Sequence, residues 1–148
     1  MEGFRVLVVD DEVDFLETMI KRLKKRNLDV MGARSGEEAL QILSKEPIDV
    51  VVLDVKMPGM DGEDTLREIK RREPLVQVIM LTAHGSVDSG IEDMTLGAFD
   101  YIVKPADLDE LIKKLEHAYK KKLIHEEKIR RAKIVELDHG TAPIKNRV

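Results

Sequence analysis

Five short apolar runs recur along the 148 residues: "FRVLVV" (4–9), "LDVMGA" (28–33), "IDVVVLD" (48–54), "VQVIMLT" (76–82) and "FDYIVK" (99–104). The first, third and fourth are almost unbroken Val, Ile, Leu and Met, as parallel strands covered on both faces require. The second and fifth are more mixed, which suits strands nearer a sheet edge. Between the runs the period changes to that of a helix. Residues 13–26 set Phe15, Leu16, Met19, Ile20 and Leu23 on one stripe. Ser35 reads as an N-cap, with Glu37 and Glu38 in the first turn and Pro47 as the stop. Residues 62–74 form a similar unit ending before Pro74. Residues 86–98 make the weakest helix, with Gly90 inside it and Gly97 near its end. Asp107 opens the last, which buries Leu108, Leu111, Ile112 and Leu115. The pattern predicts (βα)5: a doubly wound, parallel, five-stranded sheet with helices on both faces and an extended C-terminal helix.

Such sheets collect functional groups at the carboxyl ends of their strands, beside the point where strand order reverses. The residues at those ends are Asp10 and Asp11 after the first run, Asp54 after the third, Thr82 after the fourth and Lys104 after the fifth. Three carboxylates on one rim repel one another unless a cation shares them. Oxygen ligands at this density suit Mg²⁺, which takes one or two carboxylates, waters and phosphate oxygens; no loop offers the larger oxygen set that Ca²⁺ prefers. With phosphate in the site, Asp54 acts as a carboxylate nucleophile, Lys104 as a point charge and Thr82 as a hydroxyl donor. Taken singly, Asp11 reads better as the start of the first helix, and Asp54 could cap a turn. Their combination with Thr82 and Lys104 answers no packing need. Asp61 and Gly62 belong to turn and capping chemistry. The Met residues read as core filler, and His84, His117, His125 and His139 as surface residues.

Composition narrows the class. A chain that is 43% apolar and 36% charged is a globular protein with one sizeable core. There is no Cys, so disulfides and thiolate metal sites are excluded, in agreement with a cytoplasmic location. No run approaches the roughly 20 apolar residues of a membrane helix. Trp is absent and aromatics are 3%, which removes the stacking platforms of a single-strand nucleic-acid binder. From His117 onward nine basic residues face four acidic ones, so a +5 tail follows a −9 body. A basic run is most often a solvated face. Its other use is docking on an acidic partner surface, including that of a second copy in a homodimer. Leu123, Ile124, Ile129, Ile134 and Val135 are too irregular for a clean coiled-coil seam, and residues 138–148, with Gly140 and Pro143, read as frayed.

Four segments, in order and on this spacing, closely resemble the receiver domain of two-component response regulators: "VVDDE", "DVKMPGMDG", "LTAHG" and "GAFDYIVKP". The likeness covers about residues 4–120 of the chain, so that 1–120 is read as a receiver and 121–148 as a basic helical extension. It implies the flavodoxin-like receiver fold, with Asp54 as phosphoacceptor for a phosphoryl group from a histidine kinase or phosphotransfer protein. It implies that Asp11 binds Mg²⁺ directly, that Asp10 does so mainly through water, and that the Lys56 carbonyl completes the shell. Thr82, Lys104 and the Ala83 amide would hold the phosphoryl group. Pro105 would follow Lys104 through a cis peptide, and Tyr101 would be the switch aromatic that turns inward when Thr82 moves. The resemblance thus implies a signalling protein, not a turnover enzyme, that changes its contacts with a downstream protein. The stretch 82–105 looks especially like receivers of enhancer-binding activators, which adds an N-terminal receiver of a longer transcriptional regulator as the alternative. Aspartate-nucleophile phosphatases share the strand-end Asp and Mg²⁺, but their motif wants a second Asp where this chain has Lys56.

Overall fold

In a computed structural model, which describes the backbone of residues 3–83 and 92–141 and side chains through residue 137, the five strands form one parallel sheet. They are β1 (Arg5–Val9), β2 (Asp29–Ala33), β3 (Val50–Asp54), β4 (Gln77–Thr82) and β5 (Asp100–Val103). Their order is β2-β1-β3-β4-β5, so the chain reverses its winding between β1 and β3. The first three connections carry α1 (Val13–Lys25), α2 (Gly36–Lys45) and α3 (Gly62–Arg72). Residues 92–95 are helical, in agreement with a helix between β4 and β5, while His84 and Gly90 lie outside the described residues. A C-terminal helix runs from Leu108 to Thr141.

Alternation along the strands divides the core into two layers. Val6, Val8, Val50, Val52, Ile79, Leu81 and Ile102 face one side, where Leu16, Met19 and Leu23 of α1 and Leu111, Leu115 and Ala118 of the C-terminal helix cover them. Leu7, Val9, Val51, Leu53, Val78 and Met80 face the other, under Leu40 and Leu43 of α2 and Leu66 and Ile69 of α3. Every residue of β3 and β4 is buried, which explains why those runs contain no polar residue on either face before their ends, Gln77 apart. β2 and β5, at the edges, keep partly exposed residues as their mixed composition predicts.

The caps follow the sequence closely. The Ser35 hydroxyl accepts a hydrogen bond from the Glu38 amide at 3.1 Å, and Asp61 caps α3 by accepting from Asp64 at 2.8 Å. Gly62 also serves a steric need. A Cβ there would lie 2.6 Å from Val55 Cα and collide with the Asp54 carbonyl, because this turn folds directly back on the end of β3. Its amide donates to the Val55 carbonyl at 2.9 Å, which fixes the loop after Asp54.

Past Tyr119, whose ring stacks on the buried Phe4, the C-terminal helix leaves the apolar core but not the body. Lys122 Nζ sits 2.6 Å from Asp49 Oδ1, with both side chains largely buried, and Asp49 Oδ2 accepts the Arg5 amide at 2.8 Å. Beyond it the helix is stabilised within itself. Glu127 accepts from Arg130 and Arg131, whose hydrogen bonds hold its carboxyl down at about 2. Leu123, Ile124, Ile134 and Val135 are exposed on this segment.

Candidate functional site

The reversal of strand order opens a crevice between the carboxyl ends of β1 and β3, and the acidic residues stand on its two banks. Asp10 leaves β1 fully buried; its amide donates to the Ala33 carbonyl at 3.1 Å and its Oδ1 accepts from the Glu12 amide at 2.9 Å. Asp11 follows on the exposed rim. Asp54 ends β3 at 7% exposure, paired in register with Leu81. One carboxylate oxygen from each of Asp10, Asp11 and Asp54 falls within 4.8 Å of the others.

Lys104 enters from the far side of the sheet. Its amide donates to the Thr82 carbonyl at 2.7 Å, continuing the β4–β5 ladder, and its peptide to Pro105 is cis, as the resemblance implies. The ammonium lies 3.0 Å from Asp10 Oδ2 and 3.3 Å from Asp54 Oδ1. It therefore bridges the two buried acids. Burial pulls the lysine's pKa down, but its hydrogen bond to Asp10 and the charge of Asp54 outweigh that, and the net direction is up. Asp54 is pushed up, first by burial and then by the neighbouring charge of Asp10, against the pull of Lys104.

The donor set fits Mg²⁺. Three carboxylates and one ammonium carry a formal charge of −2, which a divalent ion balances, and all-oxygen ligands at this separation suit a hard cation.

The other predicted residues lie around this centre in different ways. Thr82 ends β4 buried, one residue beyond the strand partner of Asp54. Ala83 follows it on the surface. Lys56 is exposed in the loop after β3, where Val55, Lys56, Met57, Pro58, Asp61 and Glu63 line a shallow cleft of about 480 Å³. Tyr101 is half-buried on β5 against the α2–α3 layer, and does not join the carboxylate–lysine cluster.

Three features were not evident from the sequence. Phe15, grouped with the α1 core stripe, lies under Lys104, with the ammonium 4.3 Å from its ring centroid. Asp93 is 1% exposed, its Oδ1 has no hydrogen-bond partner, and burial, with the hydrogen bond its protonated carboxyl donates to Glu63, raises its pKa to about 6. Lys122, within the basic run, is anchored to Asp49.

A doubly wound sheet with a carboxylate cluster and a lysine at its switch point places the chain among the α/β proteins that bind a ligand there. Comparison with known proteins narrows it: the chain matches the response regulator receiver domain over residues 6–116 and belongs to that family. It is 39% identical over 111 residues to the response regulator protein PilR of Pseudomonas aeruginosa, and 38% identical over 113 residues to the DNA-binding transcriptional regulator NtrC of Escherichia coli. These alignments take in 75% and 76% of this chain but 25% and 24% of the relatives, so the chain spans about a quarter of their length. A response regulator receiver domain protein from Clostridium thermocellum superposes with a TM-score of 0.78 at 38% identity, covering 82% of this chain and 98% of that one. NtrX from Brucella abortus gives 0.79 at 31% identity, over 86% of this chain and 29% of its own.

Proposed function

We propose that Asp54 is the phosphoacceptor of this receiver, and that a histidine kinase or phosphotransfer protein supplies the phosphoryl group. The observation that carries this is the placement of a nearly buried carboxylate at the end of β3, 3.3 Å from the Lys104 ammonium and within 4.8 Å of two further acids. In the transfer, an Asp54 oxygen forms a bond to phosphorus as the phosphorus–nitrogen bond to the donor imidazole breaks. The electron pair returns to the imidazole nitrogen. Lys104 holds a phosphoryl oxygen by charge, and Thr82 and the Ala83 amide donate to the others. Asp11 and Asp54, with the Lys56 carbonyl and Asp10 through water, would hold Mg²⁺, which supplies charge neutralisation between acid and phosphoryl oxygens. Water then hydrolyses the acyl phosphate and restores the carboxylate, so the chain is labelled and reset but is not a turnover enzyme.

In this reading Thr82 moves toward the new phosphoryl group, and Tyr101, half-buried on β5, follows inward. The face around β5 then presents a different surface to a downstream protein in the cytoplasm. Residues 1–120 form the receiver unit and 121–148 an extension that carries the change onward. A second reading has a specific basis: NtrC, named as a DNA-binding transcriptional regulator, is about four times as long as the segment it matches. The same switch would then govern a DNA-binding regulator of which this chain is the receiver part.

Intact-mass measurement after acetyl phosphate and Mg²⁺ tests the acceptor. Wild type should gain one phosphoryl group and Asp54→Ala none; equal labelling of both defeats the assignment.

A further inference from the structure

We infer that Phe15 is a positioning residue for Lys104, holding its ammonium at the acid cluster through the face of its ring. The inference rests on the reading of Lys104 as the cation that meets the phosphoryl group. Phe15 stands in the first turn of α1, four residues after Asp11, and is half-buried beside Pro105 and Ala106. The Lys104 ammonium is 4.3 Å from the ring centroid while it touches Asp10 at 3.0 Å and Asp54 at 3.3 Å. That distance is well inside the range of a cation–π contact, and partial burial strengthens it.

The choice of an aromatic here has a chemical logic. A lysine ammonium has three N–H donors, and the two acids engage two of them. A third carboxylate in place of Phe15 would occupy the last donor and add a negative charge where a phosphoryl group must arrive. An aliphatic side chain would exclude water but attract nothing. The ring attracts the cation, adds no net charge and offers no lone pair that competes with an incoming oxygen. It also covers one side of the ammonium against solvent, which narrows the directions in which a flexible four-carbon chain can swing. Helix α1 thereby fixes two parts of the site at once, since the same turn follows the Asp10–Asp11 pair.

A series of fluorinated phenylalanines at position 15 tests this, because successive fluorines drain the ring face of negative charge with little change of shape. The full chain is given acetyl phosphate at fixed Mg²⁺, and the rate of single labelling is followed beside the Lys104 ¹³Cε and ¹⁵Nζ resonances. Labelling should slow in step with fluorine number, to about fivefold at pentafluorophenylalanine. Phe15→Leu should fall to a similar rate and Phe15→Trp should retain at least the wild-type rate, with the lysine resonances moving in the same order. Equal rates and unmoved resonances across the fluorinated series overturn the inference, and that series decides if Phe15→Trp fails to fold. If Asp54→Ala is labelled like wild type, the acceptor reading falls; the Lys104 resonances then decide on Phe15 alone.

Discussion

Asp93 offers the sharpest test of how burial sets the energetics of this fold. It lies at 1% exposure with an unpartnered Oδ1, beside Glu63 of α3, and its pKa is raised to about 6 from 3.8 by desolvation first and by the Glu63 carboxyl second. The folded state therefore holds this proton more tightly than the unfolded chain does. Its contribution to stability is fully present below about pH 3.8 and is lost as pH rises through about 6. At 1.36 kcal/mol per pKa unit, the loss across that window is about 3 kcal/mol. The perturbation is Asp93→Asn, which keeps the shape and a donor toward Glu63 but cannot ionise. Urea unfolding of both proteins at intervals from pH 4 to 8 reads the difference. The variant's advantage should grow by about 3 kcal/mol from pH 4 to pH 7.5, with the rise centred between 4 and 6. A gap that stays flat across this range would refute the reasoning, because it would mean that Asp93 ionises as easily in the folded protein as outside it.

Gly62→Ala should destabilise the domain by about 2 kcal/mol or more in thermal unfolding, since its Cβ meets the backbone of Asp54 and Val55 and no side chain can move aside. Full wild-type stability would show that the turn after β3 is free to shift. Lys122→Met should cost about 2 kcal/mol by leaving the largely buried Asp49 carboxylate without its cation, and Asp49→Asn in the same background should recover part of it. Simple addition of the two losses would deny the pairing. Mg²⁺ at a hundredfold its dissociation constant should stabilise wild type by about 2.7 kcal/mol, and EDTA should abolish both this and labelling by acetyl phosphate. Asp11→Ala should show neither effect; a wild-type response from it would remove Asp11 from the metal site.

The strands were legible because each of them obeys one rule. The unbroken apolar run 50–53 is what a strand buried on both faces must have, and the aspartate that ends it is visible for the same reason. Ser35 could be read as a cap because its chemistry is local, involving an amide three residues away. Asp10, Asp54 and Lys104 were legible as a group because strand ends in a parallel sheet converge whatever the side chains between them. Phe15, Asp93 and Lys122 were not, for one common reason. Their partners lie 89, 30 and 73 positions away in sequence, and a helix stripe shows that a residue faces inward but not what it meets there. A phenylalanine that supports a lysine and one that fills a core occupy the same place in the pattern. Likewise the basic run after His117 reads as a solvated face or a docking surface for a partner, although one of its lysines is fastened to the base of β3.

The thirty-four residues from Leu108 to Thr141 form one uninterrupted rod, about 50 Å long at the rise of an α-helix. Its last buried anchor is Lys122, which leaves nineteen residues, nearly 30 Å, projecting as a cantilever. A tilt of about ten degrees at that clamp would carry the tip some 5 Å sideways, with no bond in the shaft disturbed. Motion too slight to register around the acid pair would arrive at the far end as a shift wide enough to make or break a contact.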